Sequence, residues 1–223
     1  MKAMDVMNRE VVTVGPDTDI SEAAKLLTEH DISALPVVDG DRHVVGILSE
    51  ADLMRREEID TGKQRPWWLE AVTPASTLAE EFTKSHGKKV SEVMSDSVIS
   101  ASEDASLAEI ATILERNRIK RVPILRNGEL VGVVSRANLI QALASSTSSS
   151  NDQNADRTIR LALLTELDKQ PWTDFGSRNV IVSDGTVHIW GLVSSEQERR
   201  ALVALAETIP DVKNVADEMI PAY

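Results

Sequence analysis

Residues 46–54 read GILSEADLM, and residues 132–140 read GVVSRANLI. The glycine, the serine three residues on and the leucine seven residues on recur in place, whereas Asp52 has become Asn138. An apolar run that ends in S-x-x-[DN] and continues into a helix-forming segment is a strand-to-helix junction with a capping signature. Written twice, it makes internal duplication the first expectation about the fold.

The repeat extends well beyond the junction. DVMNREVVTVGPDTDISEAAKLL, from Asp5, aligns with EVMSDSVISASEDASLAEIATIL, from Glu92. Val6-Met7 falls on Val93-Met94, Asp17 on Asp104, Glu22 on Glu109, Leu27 on Leu114 and Pro36 on Pro123. The spacing shortens by one residue between the prolines and the glycines, because the second turn, RNGEL, is tighter; a surface turn tolerates such a change.

Each copy reads as β-α-β-β-α. A short extended piece (VVTV, SVIS) leads to a helix with Asp17 or Asp19, and Ser102 or Asp104, as candidate caps. Ile20, Ala23, Ala24 and Leu27 keep helical spacing, as do Leu107, Ile110, Ala111 and Leu114. Two strands follow, LPVVD with HVVGIL and VPILR with LVGVV, and then a second helix. The expected class is α+β, with two such units packed about a pseudo-twofold axis.

The remaining chain divides by composition. Repeat 1 covers 1–60 and repeat 2 covers 89–145, with a polar connector at 61–88. Trp67 and Trp68 in the connector either plug an apolar groove or stack on a ligand. A Ser/Asn-rich linker at 146–154 precedes a last domain, 155–223, of order α-β-β-α-β. RTIRLALLTELDKQ has helical spacing, NVIVSDGTVHIWGLV is a hairpin with Asp184-Gly185 at its tip, SSEQERRALVALAETI is a capped amphipathic helix and VKNVADEMI is a last strand.

Composition narrows the function. The chain has 223 residues, a formal net charge of −12 and no cysteine. Disulfides and thiolate metal sites are excluded, and the acidic balance disfavours nucleic acid and anionic membranes as partners. The N-terminus lacks an apolar leader, so a cytoplasmic location is expected. His30, His43, His86 and His188 have no metal-ligand spacing, and no nucleophile elbow or P-loop occurs, so no enzyme and no metal is expected.

The junction itself supports two readings. Ser49 and Asp52 form a capping box and nothing more. Alternatively, the free N–H groups of the helix start and the Ser49 hydroxyl receive an anion, and the carboxylate holds vicinal hydroxyls. Arg116, Arg118, Lys120, Arg121 and Arg126 are either a solvated face or a means of neutralising phosphate.

The duplicated units resemble a pair of CBS domains (cystathionine β-synthase domains), together a Bateman module. The residues that carry this are V-M at the first strand, ISALPVV and IKRVPIL, and the closing G-h-h-[ST]-x-x-[DN], over roughly 1–145. The C-terminal segment resembles a BON domain through its element order, the DGTVHIWGLV hairpin and VKNVADEMI. The resemblance implies an adenine-nucleotide sensor in which the serine contacts phosphate, the acid binds ribose and the first strand and pre-proline segment hold the base. It names Val12, Thr13, Ala34, Pro36, Ser49 and Asp52 in the first copy. In the second it names Ile99, Ser100, Arg121, Pro123 and Ser135, with Lys120 beside Arg121 for phosphate and Asn138 in the acid's place. An amide binds a hydroxyl without charge assistance, so the first copy is expected to hold the better ribose site. The expected ligand is AMP, ATP or a related adenosyl compound, with no required cofactor. A homodimer is expected through the CBS pairs, whose LIQALA and AAKLL faces are apolar. The BON resemblance implies a protein or membrane-associated partner; residues 151–223 sum to −5, which weighs against anionic lipid. The alternative is a structural module in which the repeats only dimerise and the C-terminal domain recruits a partner.

Overall fold

A computed structural model describes residues 1–54, 56, 61, 73–146, 152–173 and 178–222, less the side chains of 80 and 81. Trp67 and Trp68 lie outside the described residues, as does most of the serine-rich linker. In chain order the elements are α1 (Ala3–Val6), α2 (Ile20–Glu29), β1 (Ala34–Val38), β2 (Val44–Ser49), α3 (Glu50–Leu53), α4 (Ala75–His86), α5 (Val90–Val93), β3 (Ala101–Ser102), α6 (Leu107–Arg116), β4 (Arg121–Arg126), β5 (Glu129–Ser135), α7 (Arg136–Ser145), α8 (Gln153–Leu167), β6 (Asn179–Ser183), β7 (Thr186–Val193), α9 (Glu196–Glu207) and β8 (Asn214–Pro221). The fold is α+β, as expected.

These elements form two compact units. One comprises Val12–Ile99 with Asn127–Leu130; the other comprises Met1–Val11, Ser100–Arg126 and Val131–Tyr223. In the first, α2 turns Ile20, Ala23 and Leu27 onto the β1–β2 hairpin, where Leu35, Val37 and Leu48 are fully buried. Each such side chain contributes about 1.5–3 kcal/mol on burial. Val14 pairs in parallel with Val37, so β1 is flanked on both sides. The second unit repeats this register, with Ala101 opposite Ile124 in the order β3-β4-β5.

The V-M pairs are not in strands, which corrects the sequence reading. Val6 and Val93 each close a four-residue helix, and Met7 and Met94 are the residues that end it. The two opening turns are exchanged between the units. Within one unit, a Cβ built on Gly132 would meet Met7 Sδ at 2.7 Å; within the other, a Cβ on Gly46 would strike Met94 Sδ. At Gly132 the Asn8 carbonyl oxygen also lies 2.8 Å from that Cβ, a backbone atom that cannot swing aside, so glycine is needed there, whereas at Gly46 the neighbour is the methionine side chain alone.

Helix starts also differ from expectation. α6 is capped by Ser106, not by Ser102 or Asp104. Its hydroxyl accepts from the Glu109 N–H at 3.2 Å, and the Glu109 carboxylate accepts from the Ser106 N–H at 2.7 Å. α2 begins after Asp19, whose carboxylate bonds Lys89 at 2.9 Å and makes no cap bond. The connector, expected as polar chain, contains α4; buried Arg56 donates to the Gly87 carbonyl at its C-terminal end.

The C-terminal domain is a three-stranded sheet, β6-β7-β8, under α8 and α9. β6 and β7 are antiparallel, and α9 carries the chain over to β8, parallel to β7. The hairpin turn at Asp184 (φ 50) and Gly185 (φ 75) needs positive φ twice, which Asp-Gly supplies. Its two N–H groups donate to the buried Asp156 carboxylate on α8, at 3.0 and 2.8 Å. β6 is buried on both faces. Val180 and Val182 enter the domain's own core, while Ile181 joins the core of the second repeat, with Trp190 packed beside it.

Candidate functional site

In the first unit the candidate residues converge at one end of the hairpin. Ala34 lies opposite Ser49 across the β1–β2 pair. The Glu50 N–H donates to the Ser33 carbonyl at 3.1 Å, which fixes the helix start against the pre-proline segment. The Val14 N–H donates to the Pro36 carbonyl at 3.2 Å, so Val12 and Thr13 lead in beside Pro36. Pro36 is buried; Val12, Thr13, Ala34, Ser49 and Asp52 are half-buried.

The second unit repeats the arrangement. The β3–β4 register sets Ser100 beside Pro123, and the Arg136 N–H donates to the Lys120 carbonyl at 3.3 Å. Arg121 is half-buried and Lys120 exposed, next to the Ser135 junction. Ile99 is exposed and belongs to the first unit, whereas Ser100 belongs to the second.

The two junctions make the same cap with different chemistry left over. In the first, Asp52 Oδ2 accepts from the Ser49 backbone N–H at 2.8 Å and from its hydroxyl at 2.6 Å. The other oxygen, Oδ1, accepts no hydrogen bond among the described residues. In the second, Asn138 Oδ1 accepts from the Ser135 N–H at 2.7 Å and from its hydroxyl at 2.8 Å. An amide oxygen has two lone pairs, and both are used. Asn138 Nδ2 donates instead to Gln141 Oε1 at 3.3 Å, and Asn138 is only 5% exposed. The first junction therefore retains an unfilled anionic acceptor one turn inside a helix start, and the second retains none.

Gln141 escaped the sequence reading. It sits three residues beyond Asn138 on α7, a spacing that brings side chains together on a helix. Among the described residues, no group of three or more histidines and carboxylates is placed to hold a metal, and no helix is long and apolar enough to cross a membrane.

The family model described as CBS domain matches residues 3–58 and 90–145, and the one described as BON domain matches 155–220. The chain is 30% identical over 148 residues to the CBS domain-containing protein CBSX1, chloroplastic, of Arabidopsis thaliana, covering 64% of this chain and 62% of that protein. It is 27% identical over 141 residues to hypoxic response protein 1 of Mycobacterium tuberculosis, covering 63% and 84%. Among solved structures it is similar to CBSX2 of Arabidopsis thaliana in complex with AMP, at 26% identity and a TM-score of 0.56, covering 64% of this chain and 96% of that one.

Proposed function

The chain belongs to the CBS-domain family and carries a C-terminal BON domain, and from that premise we propose that it senses an adenosine-containing nucleotide and passes the bound state to the C-terminal domain. The observation that carries this is the unfilled Asp52 carboxylate oxygen, half-buried beside Ser49 and facing no protein donor among the described residues. A charged acceptor in that position binds ribose hydroxyls more strongly than an amide does. The Ser49 and Glu50 N–H groups are already used within the chain, so phosphate would meet the N–H groups beyond Glu50, with the Ser49 hydroxyl turning from Asp52 to join them, and Val12, Thr13, Ala34 and Pro36 would form a backbone-rich wall for the base. The structure of the similar CBSX2 contains AMP, which makes AMP the first probe. ATP and S-adenosylmethionine share the adenosyl group and follow.

Calorimetric titration of the full chain with AMP at fixed salt is expected to give saturable binding of one equivalent per chain. Absence of saturable heat with all three adenosyl compounds would refute the reading.

The same geometry supports a second reading, because both capping boxes are complete without a ligand. The repeats then serve only to dimerise. A twofold homodimer is part of our proposal in either case. Ile140 and Leu143, one turn apart on α7, are 67% and 76% exposed, and a closed twofold contact is the usual way to cover such a face. Light scattering at micromolar protein should return twice the chain mass, and Leu143→Glu should halve it; a wild-type monomer would remove the dimer.

A further inference from the structure

The acid position of the second repeat is joined to the C-terminal domain by an unbroken series of hydrogen bonds. Asn138 Nδ2 donates to Gln141 Oε1, and that oxygen also accepts from Asn179 Nδ2 of β6 at 3.1 Å. Asn179 uses its remaining N–H on the Val6 carbonyl at 2.9 Å. Its own oxygen accepts from Arg160 Nη2 at 3.4 Å. Arg160, 3% exposed, donates to the Met4 and Met7 carbonyls at 3.0 and 2.7 Å, and to Val180 of its own domain at 2.7 Å. The carbonyls at the end of α1 are those a helix leaves unpaired, so Arg160 and Asn179 together satisfy that helix end. Burial lowers the Arg160 pKa, with Arg9 adding to the effect and Asp5 opposing it. Arg157 holds Asp5 with two bonds at 2.6 and 3.1 Å, and Trp190 Nε1 donates to Ser145 at 3.2 Å.

We propose that the partner of this face of the C-terminal domain is the chain's own second repeat, and that position 138 is an amide because only an amide completes the docking. The donor logic is specific. Gln141 Oε1 takes two donors, one from each side. A carboxylate at 138 would set an acceptor against that oxygen. Turning the Gln141 amide to satisfy the carboxylate would set its NH₂ against Asn179 Nδ2, a donor against a donor. Either way one buried polar group loses its partner, which is costly in such a site. The change from acid to amide therefore does two things at once: it replaces the oxygen that would meet a ribose by an NH₂ group, and it supplies the hydrogen that the docked Gln141 requires. The docking part of the proposal is independent of the nucleotide reading; the ligand part rests on it.

The chain has no cysteine, so two reporters placed by Glu115→Cys on α6 and Glu207→Cys on α9, both exposed, are unique labelling sites. Spin-labelled full-length chain, diluted into unlabelled chain, gives the distance distribution between the second repeat and the C-terminal domain. The parent should show one narrow distribution. Asn138→Asp, which keeps a good capping residue, should broaden it at least twofold, and Arg160→Met should broaden it further. Gln141→Ala, at a half-buried helical position where alanine favours the helix, guards against loss of folding and should also broaden it. A broad parent distribution, or variants as narrow as the parent, overturns the docking. In the same samples Asn138→Asp should raise AMP binding from one to two equivalents per chain. Unchanged stoichiometry with first-site binding intact overturns the claim that the amide closes the second position. If the parent binds no AMP, the nucleotide reading falls and the distribution widths alone decide the docking.

Discussion

Ser49–Asp52 and Ser135–Asn138 carry the same capping box on the same strand-to-helix turn, each at the end of the strand that pairs with the proline-bearing one. Ser135 also accepts from the Asn138 N–H at 3.3 Å, and beyond that the two differ in what remains after the cap is made. The carboxylate caps with one oxygen and keeps the other, while the amide caps with its only oxygen and has an N–H to place elsewhere. A duplicated fold can thus keep one structural contact in both copies and give its surplus chemistry to different tasks. In the first copy the surplus suits a ligand hydroxyl; in the second it points to Gln141 and the C-terminal domain.

This comparison requires that the two repeats be equivalent in their cores. Leu27 and Leu114 occupy matching positions, 6% and 2% exposed. Truncation of either to alanine should cost about 2–5 kcal/mol of unfolding free energy. Denaturant unfolding that found one of them nearly silent would break the equivalence on which the contrast rests.

Asn138→Ala removes a cap and a buried hydrogen-bond partner, so it should lower stability by about 1–2 kcal/mol. It should leave AMP affinity within about twofold of wild type, because its oxygen is already filled; a larger loss of affinity would make the second junction a ligand site after all. Ser106→Ala should cost about 1 kcal/mol. Asp19→Ala, at the matching helix start, should cost less, since Asp19 makes no cap bond and pairs with Lys89 only at the surface. Equal losses would place the cap elsewhere.

The smallest expected effect concerns pH. His188, on the same face of the C-terminal sheet as Asn179 and Ile181, has both ring nitrogens without a hydrogen-bond partner, and burial lowers its pKa below 6.5 against the pull of Glu218. The folded state therefore favours neutral His188. Its contribution is fully present above pH 6.5 and is lost as pH falls from 6.5 towards the lower folded value. Thermal midpoints taken between pH 7.5 and 5.5 should fall more steeply for wild type than for His188→Leu; parallel curves would show that burial of this ring carries no proton linkage.

Much of this architecture is legible in the sequence. The paired prolines and glycines fix the duplication, the strand register and the turn that absorbs the missing residue. Asp184-Gly185 announces its hairpin because few residues accept two consecutive positive φ values. Other features were hidden for physical reasons. The turns at Ala3–Val6 and Val90–Val93 are too short to show helical periodicity, so Val-Met reads there as strand. Ser106 and Glu109 display a capping box, yet two earlier polar residues offered equally good caps. The docking network is invisible from sequence, because only Asn138 and Gln141 are linked by a helical spacing, and they meet Asn179 and Arg160 only when β6 is laid on the second repeat.

The most direct test of the account is to convert the first junction into the second. Asp52→Asn keeps an oxygen for the Ser49 N–H and hydroxyl and removes the unfilled anionic one. AMP affinity and denaturant midpoint should be measured together, at fixed salt, for wild type and this variant. The account predicts that binding weakens by about 1.5–3 kcal/mol, roughly 10- to 150-fold, while stability changes by less than about 0.5 kcal/mol. An AMP affinity unchanged by Asp52→Asn would contradict it, and would return Asp52 to the role of a helix cap.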